Sequence, residues 1–366
     1  MESPYRHELE IAIRAAQSAA HISRLALSTA HAGEHAESFD VVKDDLSSVT
    51  IADFAIQALL TRSLRDFFPR DGFVGEESAD ELRQNPKLSS RVLAILGQSL
   101  GDPTRFPDVD DLCEVIDSCT TSSPSGGDSA SGRVWVFDPI DGTKTFIRRE
   151  QYAINIALLD HGRQLLSVVA CPLLSMDATA PVTDASIDPT GVGCILYAVR
   201  GHGTYVRPLP GGLGEVESRR LERHADNVSP NDLRCVTCWD QLDSGVSEVH
   251  KAIAEKLNVP FPGCDLLGWV PRWAVISLGL ANFTVWVYKK RDRYAKIWDH
   301  AGAMLLFEEV GGIITDVHGK PIDLSSGRKL NANFGFVAAP RNLHHVVLRT
   351  VHDILRTQGR EELLLQ

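Results

Sequence analysis

Two carboxylates, Asp138 and Asp141, stand three residues apart in an Asp-Pro-Ile-Asp-Gly-Thr segment that directly follows the apolar run 134–137. Proline restricts the backbone and glycine tolerates a positive φ, so a turn of this composition allows both side chains to point at one spot. Gly142 and Thr143 offer backbone N–H groups there, which suit a phosphate oxygen. Carboxylate oxygens are the ligands that Mg²⁺ prefers. The segment therefore predicts a metal and phosphate corner, with a β-turn carrying solvated aspartates as the alternative.

Acidic residues occur at three further points where a predicted element begins or ends. Glu76 and Glu77 end a short strand, Asp53 lies in the first turn of a predicted helix, and Asp299 opens another helix. Convergent carboxylates hold pairs of metal ions in enzymes that transfer phosphoryl groups. The pattern therefore predicts a two-metal site that acts on phosphate.

The spacing of apolar residues predicts the elements that carry these acids. A helical period runs through 8–27 and again through 51–68, where Pro69 stops it, and residues 72–77 predict a short strand. The stretch 80–132 contains four prolines and a Ser/Gly-rich end. It is predicted to be an irregular insertion with one or two short helices.

The segments after the insertion alternate between strand and helix, which indicates α/β layers. A β-hairpin is predicted from two apolar runs joined through Asp160-His161-Gly162. The length of 366 residues favours two subdomains. The predicted hairpin strands are 154–159 and 165–170, the later strands are 194–199, 233–236, 283–287 and 312–315, and the later helices are 246–257, 272–280 and 299–309.

We predict a boundary after residue 178. Residues 1–178 would form an N-terminal α+β subdomain that carries most of the metal ligands. Residues 179–366 would form a C-terminal α/β subdomain that carries the segments for substrate specificity.

Composition limits the partners and the compartment. The net charge of −11 argues against a nucleic-acid-binding surface, which needs basic stripes. No apolar run approaches the roughly twenty residues that span a bilayer, so no membrane contact is predicted. The N-terminus lacks the features of a secretory signal, and the seven cysteines are scattered as in reduced proteins. We therefore predict a cytoplasmic monomer, with the nucleus as the other possible compartment. Cys235 and Cys238 are interpreted as strand residues rather than as a zinc or redox pair.

Several motifs together resemble, in order and spacing, the signatures of the lithium-sensitive inositol monophosphatase superfamily. The likeness extends from about residue 42 to residue 339, and it is strongest toward the 3'(2'),5'-bisphosphate nucleotidase branch. It implies a five-layer αβαβα sandwich of the inositol monophosphatase/fructose-1,6-bisphosphatase type. The superfamily motifs are 75–78, 138–143, 298–302 and 309–312, and those typical of the branch are 43–53, 143–146, 150–153, 171–172 and 296–300.

The resemblance also implies the metal ligands. Glu76, Asp138 and the carbonyl oxygen of Ile140 would bind one Mg²⁺. Asp138, Asp141 and Asp299 would bind a second, and the family binds two or three such ions in each active site.

Catalytic and substrate-binding roles follow from the same resemblance. Asp53 and Thr143 would act on the attacking water, and the N–H groups of Gly142 and Thr143 would hold phosphoryl oxygens. Arg272 and Lys296 would contact the phosphates of the substrate.

The segment predicted to recognise the nucleotide departs from the branch. Residues 268–273 are Gly-Trp-Val-Pro-Arg-Trp, where the nucleotidases carry an Asp-Ser-Gln-Ala-Lys-Tyr-like sequence. Residues 239–244 stand in place of a Gly-His-Ser-like stretch of that branch. Thr145 and Arg149 stand where glycines are usual. The tryptophans in 268–273 either stack on a base or fill the core.

The function implied is removal of the 3'-phosphate of adenosine 3',5'-bisphosphate, a step connected with sulfur assimilation. A phosphatase for inositol polyphosphate or another small bisphosphate is the first alternative. A non-catalytic protein that binds metal or nucleotide is the second, and the retention of Asp53 and Thr143 argues against it.

Overall fold

The computed structural model describes residues 4–29, 40–42, 48–127, 129, 131–212, 214, 216–223, 227–239 and 244–365. The branch motif around 43–45 and most of the 239–244 segment lie outside these residues. Within them, no helix has the length and apolar composition needed to cross a bilayer. The compartment and the monomeric state stay predictions.

The helices cluster in the N-terminal third and recur singly between later strands. They are α1 (Arg6–Thr29), α2 (Ile51–Phe67), α3 (Asp80–Gln84), α4 (Pro86–Leu100), α5 (Val109–Thr121), α6 (Thr143–Ile147), α7 (Ser247–Lys256), α8 (Trp269–Ser277), α9 (Ala303–Glu309) and α10 (His344–Thr357). A 3₁₀ turn at Ile297–Asp299 precedes α9.

The strands form one large sheet and three smaller ones. Their bounds are β1 (Asp40–Val42), β2 (Ser48–Thr50), β3 (Gly72–Gly75), β4 (Arg133–Asp141), β5 (Ala153–Asp160), β6 (Arg163–Cys171), β7 (Cys194–Val199), β8 (Gly203–Pro208), β9 (Arg219–Arg220), β10 (Val236–Thr237), β11 (Cys264–Asp265), β12 (Thr284–Trp286), β13 (Gly312–Thr315) and β14 (Phe336–Pro340). The large sheet runs in the order β3-β4-β5-β6-β7-β8-β9, with β3 parallel to β4 and the other neighbours antiparallel. The others are β12-β14-β13, β10-β11 and β1-β2.

The large sheet separates two hydrophobic cores, because side chains alternate between its faces along each strand. Trp135 and Phe137 of β4 enter the core under the N-terminal helices. Val134 and Val136 enter the core shared with the C-terminal half. Every described strand of this sheet except the short β9 is therefore largely buried.

The layers follow from which elements pack together. Helices α1 and α2 cover one face of the large sheet, while α8 and α9 cover the other. Helix α9 also packs on β13, and α10 packs on β14 and α7. This order gives the five-layer αβαβα sandwich, which confirms the predicted fold.

The predicted hairpin is confirmed, with β5 and β6 antiparallel and Asp160 opposite Arg163. His161 and Gly162 have φ values of 49° and 77°, as a two-residue turn of this kind requires. The predicted subdomain boundary after residue 178 lies between β6 and β7, which pair in the same sheet. The division into two subdomains stays a prediction.

The insertion over 80–132 is more regular than predicted, because its described residues form three helices where one or two short ones were expected. Helices α4 and α5 occupy 15 and 13 residues of it. Pro86 opens α4 at its first turn, and the side chain of Asn85 accepts a hydrogen bond from the Leu88 N–H. The proline there starts a helix because its missing N–H is not needed in the first turn.

Candidate active site

The corner predicted from residues 138–143 forms at the end of β4. The pairing of β4 with β5 shifts register between Asp138 and Asp141, which turns both carboxylates toward one cavity. Asp138 Oδ1 accepts a hydrogen bond of 3.0 Å from the Ile140 N–H. Gly142 has a φ of 93°, and a Cβ there would lie 2.6 Å from Thr145 Oγ1, so glycine is required before α6 begins.

Three aspartates meet at this corner. Ligand oxygens of Asp138, Asp141 and Asp299 all lie within 4.8 Å of one another. Asp299 is brought there by the 3₁₀ turn, whose Trp298 carbonyl accepts a 2.5 Å hydrogen bond from Asn155 Nδ2 on β5. Asn155 is the register partner of Asp138, so one strand fixes ligands from both halves of the chain.

Glu76 joins the group from the neighbouring strand. Strand β3 runs parallel to β4 with Gly75 opposite Phe137, so the residue after β3 lies beside Asp138. Gln57 of α2 holds this turn through two 2.8 Å hydrogen bonds with the backbone of Glu77. Sequence reasoning missed Gln57, which carries no signal beyond its place one turn after Asp53.

Charge repulsion and burial dominate the electrostatics of these acids. Burial raises the pKa of Asp138 well above its usual range, and the charges of Glu76, Asp141 and Asp299 raise it further. Burial likewise raises the pKa of Asp299 well above normal, and that of Asp141 to about 7. A cation would relieve this repulsion, and the all-oxygen donor set suits Mg²⁺. The residues present therefore fit a divalent metal.

Asp53 and Thr143 lie at the same corner. Asp53 is 1% exposed, and its charge contributes to raising the pKa of Asp138. Thr143 Oγ1 donates a 3.3 Å hydrogen bond to the Ile140 carbonyl, one of the predicted metal ligands. Helix α6, which begins at Thr143, packs beside β2, which leads directly into α2. Their predicted action on water stays a prediction.

The cavity that these residues border has a volume of about 480 Å³. Gly142 and Thr143 line it together with five acids: Glu76, Asp138, Asp141, Asp292 and Asp299. The wall also carries cationic and aromatic side chains: Lys144, Arg293, Lys296, Lys329, Trp269, Tyr288, Tyr294 and Trp298. The predicted substrate contact Lys296 therefore lines the cavity.

Arg272 occupies a different position from the one predicted. It is 0% exposed and does not line the cavity. Its Nε and one terminal nitrogen donate 2.8 Å hydrogen bonds to the carbonyls of Leu266 and Leu267. Its guanidinium lies 4.2 Å from the centre of the Trp269 ring and 4.8 Å from that of Trp286. This arginine supports the loop that borders the cavity instead of reaching into it.

The two tryptophans of 268–273 belong mainly to the core. Trp269 is 7% exposed and contacts Trp273, His300 and Phe336 at ring distances of 6.0, 4.9 and 5.2 Å. His300 Nδ1 accepts a 3.1 Å hydrogen bond from Trp273 Nε1, and burial lowers the pKa of this histidine well below normal. These contacts favour packing over stacking on a base, and a structural role for His300.

Helix α8 contributes something that the sequence did not reveal. The Val270 N–H donates a 2.5 Å hydrogen bond to Asp141 Oδ2. Gly268 permits this approach, since a Cβ there would lie 2.8 Å from the same oxygen. The segment predicted for specificity thus touches a predicted metal ligand.

Arg328 contacts both the segment that carries Glu76 and the segment that carries Asp299. Its terminal nitrogens donate to the carbonyls of Gly75 at 2.7 Å, Glu76 at 3.3 Å and Cys119 at 2.9 Å. Its guanidinium also lies 4.8 Å from the ring centre of Trp298, the neighbour of Asp299. Arg328 therefore positions the turns that carry two predicted metal ligands, Glu76 and Asp299.

Replacing Arg328 with glutamine is expected to weaken metal binding. Glutamine is too short to reach the three carbonyls, so the Mg²⁺ concentration for half-maximal activity should rise roughly ten- to a hundredfold, the usual effect of losing an outer support. The rate at saturating Mg²⁺ should change much less. Titration of the Mg²⁺-dependent melting temperature measures the same shift without turnover. Arg349→Gln, an exposed change of the same type on α10, is the control, and equal Mg²⁺ requirements in the two variants would contradict the role.

Comparisons with known proteins agree with this geometry. The profile of the Inositol monophosphatase family matches residues 5–356. A 3'(2'),5'-bisphosphate nucleotidase of Emericella nidulans is 33% identical over 332 residues, which cover 86% of this chain and 91% of that protein. Another of the same name from Schizosaccharomyces pombe is 33% identical over 324 residues, with 84% of each chain covered. The crystal structure of inositol monophosphatase II from Staphylococcus aureus has a TM-score of 0.59 at 17% identity, covering 97% of this chain and 98% of that one.

Proposed function

We propose, because this chain belongs to the inositol monophosphatase family, that it is a Mg²⁺-dependent phosphatase that removes the 3'-phosphate of adenosine 3',5'-bisphosphate. The observation that carries the proposal is the meeting of three aspartate carboxylates within 4.8 Å in a cavity that also presents cations. The names of the 33% identical relatives support the choice of substrate.

The proposed metal ligands are Glu76, Asp138, Asp141, Asp299 and the carbonyl of Ile140. Mg²⁺, when bound there, supplies positive charge that offsets the carboxylates and polarises the phosphate and the attacking water. Two or three ions in each site would match the family pattern.

The remaining chemistry belongs to residues of the corner. The N–H groups of Gly142 and Thr143 bind phosphoryl oxygens, while the Thr143 hydroxyl and Asp53 orient the water and accept its proton. Water attacks phosphorus opposite O3', the P–O3' bond breaks, and the ribose oxygen leaves with a proton from solvent. The products are adenosine 5'-monophosphate and inorganic phosphate, and no covalent enzyme intermediate forms.

A substrate panel tests this proposal. Phosphate release should be measured with adenosine 3',5'-bisphosphate, adenosine 3'-monophosphate, inositol 1-phosphate and inositol 1,4-bisphosphate at saturating Mg²⁺. The highest kcat/KM is expected for adenosine 3',5'-bisphosphate. The burial of Arg272 keeps the inositol bisphosphate alternative in the panel, because the predicted nucleotide contact is not at the cavity. A preference for an inositol substrate, or no release from any of the four, would overturn the assignment.

Mg²⁺ is expected to stabilise the protein more as the pH rises. The pKa of Asp141 is about 7 in the folded protein without metal and 3.8 for an isolated aspartate side chain, so its contribution to stability is present below pH 3.8 and is lost as the pH rises through about 7. The metal-free protein should therefore melt at a lower temperature near pH 8 than near pH 5.5. Because Mg²⁺ binds the ionised carboxylates, the rise in Tm with millimolar Mg²⁺ should be about 3 °C or more near pH 8 and smaller near pH 5.5.

Melting curves at both pH values, each with Mg²⁺ and with EDTA, measure this difference. A Mg²⁺ effect that is absent, or that shrinks as the pH rises, would argue against a carboxylate metal site.

A further inference from the structure

Three cationic side chains of the cavity wall form no ion pair with a described residue, although Lys296 interacts electrostatically with Asp299 of the acidic corner. Arg293, Lys296 and Lys329 all line the cavity, yet none forms an ion pair or a side-chain hydrogen bond with a described residue. Unpaired cations gathered in a concave site attract an anion.

The backbone holds two of these cations close together. Lys296 and Lys329 are direct partners in an antiparallel bridge. Two backbone hydrogen bonds stabilise this bridge, from Ile297 N to Arg328 O at 3.0 Å and from Leu330 N to Ala295 O at 2.9 Å. Like charges directly opposite each other destabilise a strand pair, so an anion bound between them would stabilise this arrangement.

The position of these residues favours an anion on the substrate itself. Lys296 precedes the predicted metal ligand Asp299 by three residues, and both line the same cavity. Lys296 Nζ lies 5.3 Å from the ring centre of Trp298. This contact keeps the lysine side chain next to the acidic corner. Tyr294 lies between Arg293 and Lys296 in the sequence and is half-buried. It also lines the cavity, where its ring offers an aromatic surface.

We propose that Arg293, Lys296 and Lys329 bind the second, non-reacting phosphate of a bisphosphate substrate. This inference rests on the proposed function, because it takes the reacting phosphate to lie at the acidic corner. The second phosphate would then bind at the bridge between segments 293–296 and 328–330, and not at the buried Arg272. A substrate with only one phosphate leaves this site empty and binds more weakly.

Lys329→Met is the most informative variant, because Lys329 is exposed and is not adjacent to a metal ligand. Its kcat/KM for adenosine 3',5'-bisphosphate should fall roughly ten- to a hundredfold, as for loss of a charge-assisted contact, mainly through KM. Its kcat/KM for adenosine 3'-monophosphate should stay within about threefold of the unmodified protein. Arg293→Met should show the same selective fall in kcat/KM for the bisphosphate. Lys290→Met removes the same charge from an exposed residue that does not line the cavity, and it should match the unmodified protein on both substrates.

Binding of the proposed product provides a readout that does not depend on turnover. Adenosine 5'-monophosphate retains only the non-reacting phosphate, so its Kd by calorimetry should rise roughly tenfold or more in Lys329→Met, while the Kd of adenosine should not change. Equal kinetic losses on both substrates, or an unchanged Kd for adenosine 5'-monophosphate, would overturn the inference. Lys329-dependent binding of adenosine 5'-monophosphate by a protein that hydrolyses none of the panel would instead overturn the proposed function alone.

Discussion

Replacing Asp138 with asparagine is expected to lower kcat/KM by about a thousandfold or more while raising the melting temperature of the metal-free protein. The loss of activity follows because Asp138 is the proposed ligand shared by both metals, and loss of a group at the reacting centre commonly has this scale. The gain in stability follows because its carboxylate is 2% exposed and is repelled by Glu76, Asp141 and Asp299. Removing one buried charge relieves that repulsion.

The two effects are measured by phosphate release at saturating Mg²⁺ and by melting curves in EDTA. Mg²⁺ should also lose most of its stabilising effect in this variant. Asp353→Asn removes a charge from an exposed acid on α10 and serves as the control. An Asp138→Asn protein that is less stable than the unmodified protein in EDTA, yet still active, would contradict both the repulsion and the assignment.

Thr143→Ala is expected to lower kcat by about a hundredfold or more, the scale of a positioned proton-transfer group. Mg²⁺ binding should change little, since the hydroxyl is not a proposed metal ligand and only donates a 3.3 Å hydrogen bond to the Ile140 carbonyl. Thr143→Ser retains the hydroxyl and should retain most of the activity. Rate and the Mg²⁺-dependent Tm, measured on both variants, separate loss of chemistry from loss of metal.

Asp53 provides a second test of the same role. If Asp53 and Thr143 act on one water, then the Asp53→Asn/Thr143→Ala double variant should be hardly slower than the worse single variant. Losses that multiply in the double variant would show that the two residues act independently, and a near-normal rate in Thr143→Ala would reject the assignment.

The acidic corner was predictable because its signal is local. Asp138 and Asp141 lie together in the last four residues of the buried strand β4, and the glycine between β4 and α6 needs a positive φ. The supports around the corner were not predictable in this way. Arg328 bonds the Gly75 carbonyl across 253 residues of sequence, and such a contact leaves no periodic pattern.

Two other differences have equally physical causes. The prolines of 80–132 suggested an irregular segment with only one or two short helices, but Pro86 occupies the first turn of α4, where proline is tolerated. Arg272 was predicted to contact phosphate because of its place in a motif. The bulky Trp269 and Trp286 enclose its guanidinium, and the backbone carbonyls of 266 and 267 satisfy it. The place of Arg272 in a motif was therefore not enough to predict where its side chain lies.

The hydrogen bond from the Val270 N–H to Asp141 constrains the evolution and engineering of this protein. Residues 268–273 cannot vary for a new substrate without altering the surroundings of a proposed metal ligand, and a Cβ at position 268 already meets that carboxylate. Substrate preference and demand for Mg²⁺ are therefore expected to change together. A library varied in this segment and screened only at high Mg²⁺ would select variants that fail at lower concentrations, so each round of selection should include a low-Mg²⁺ condition.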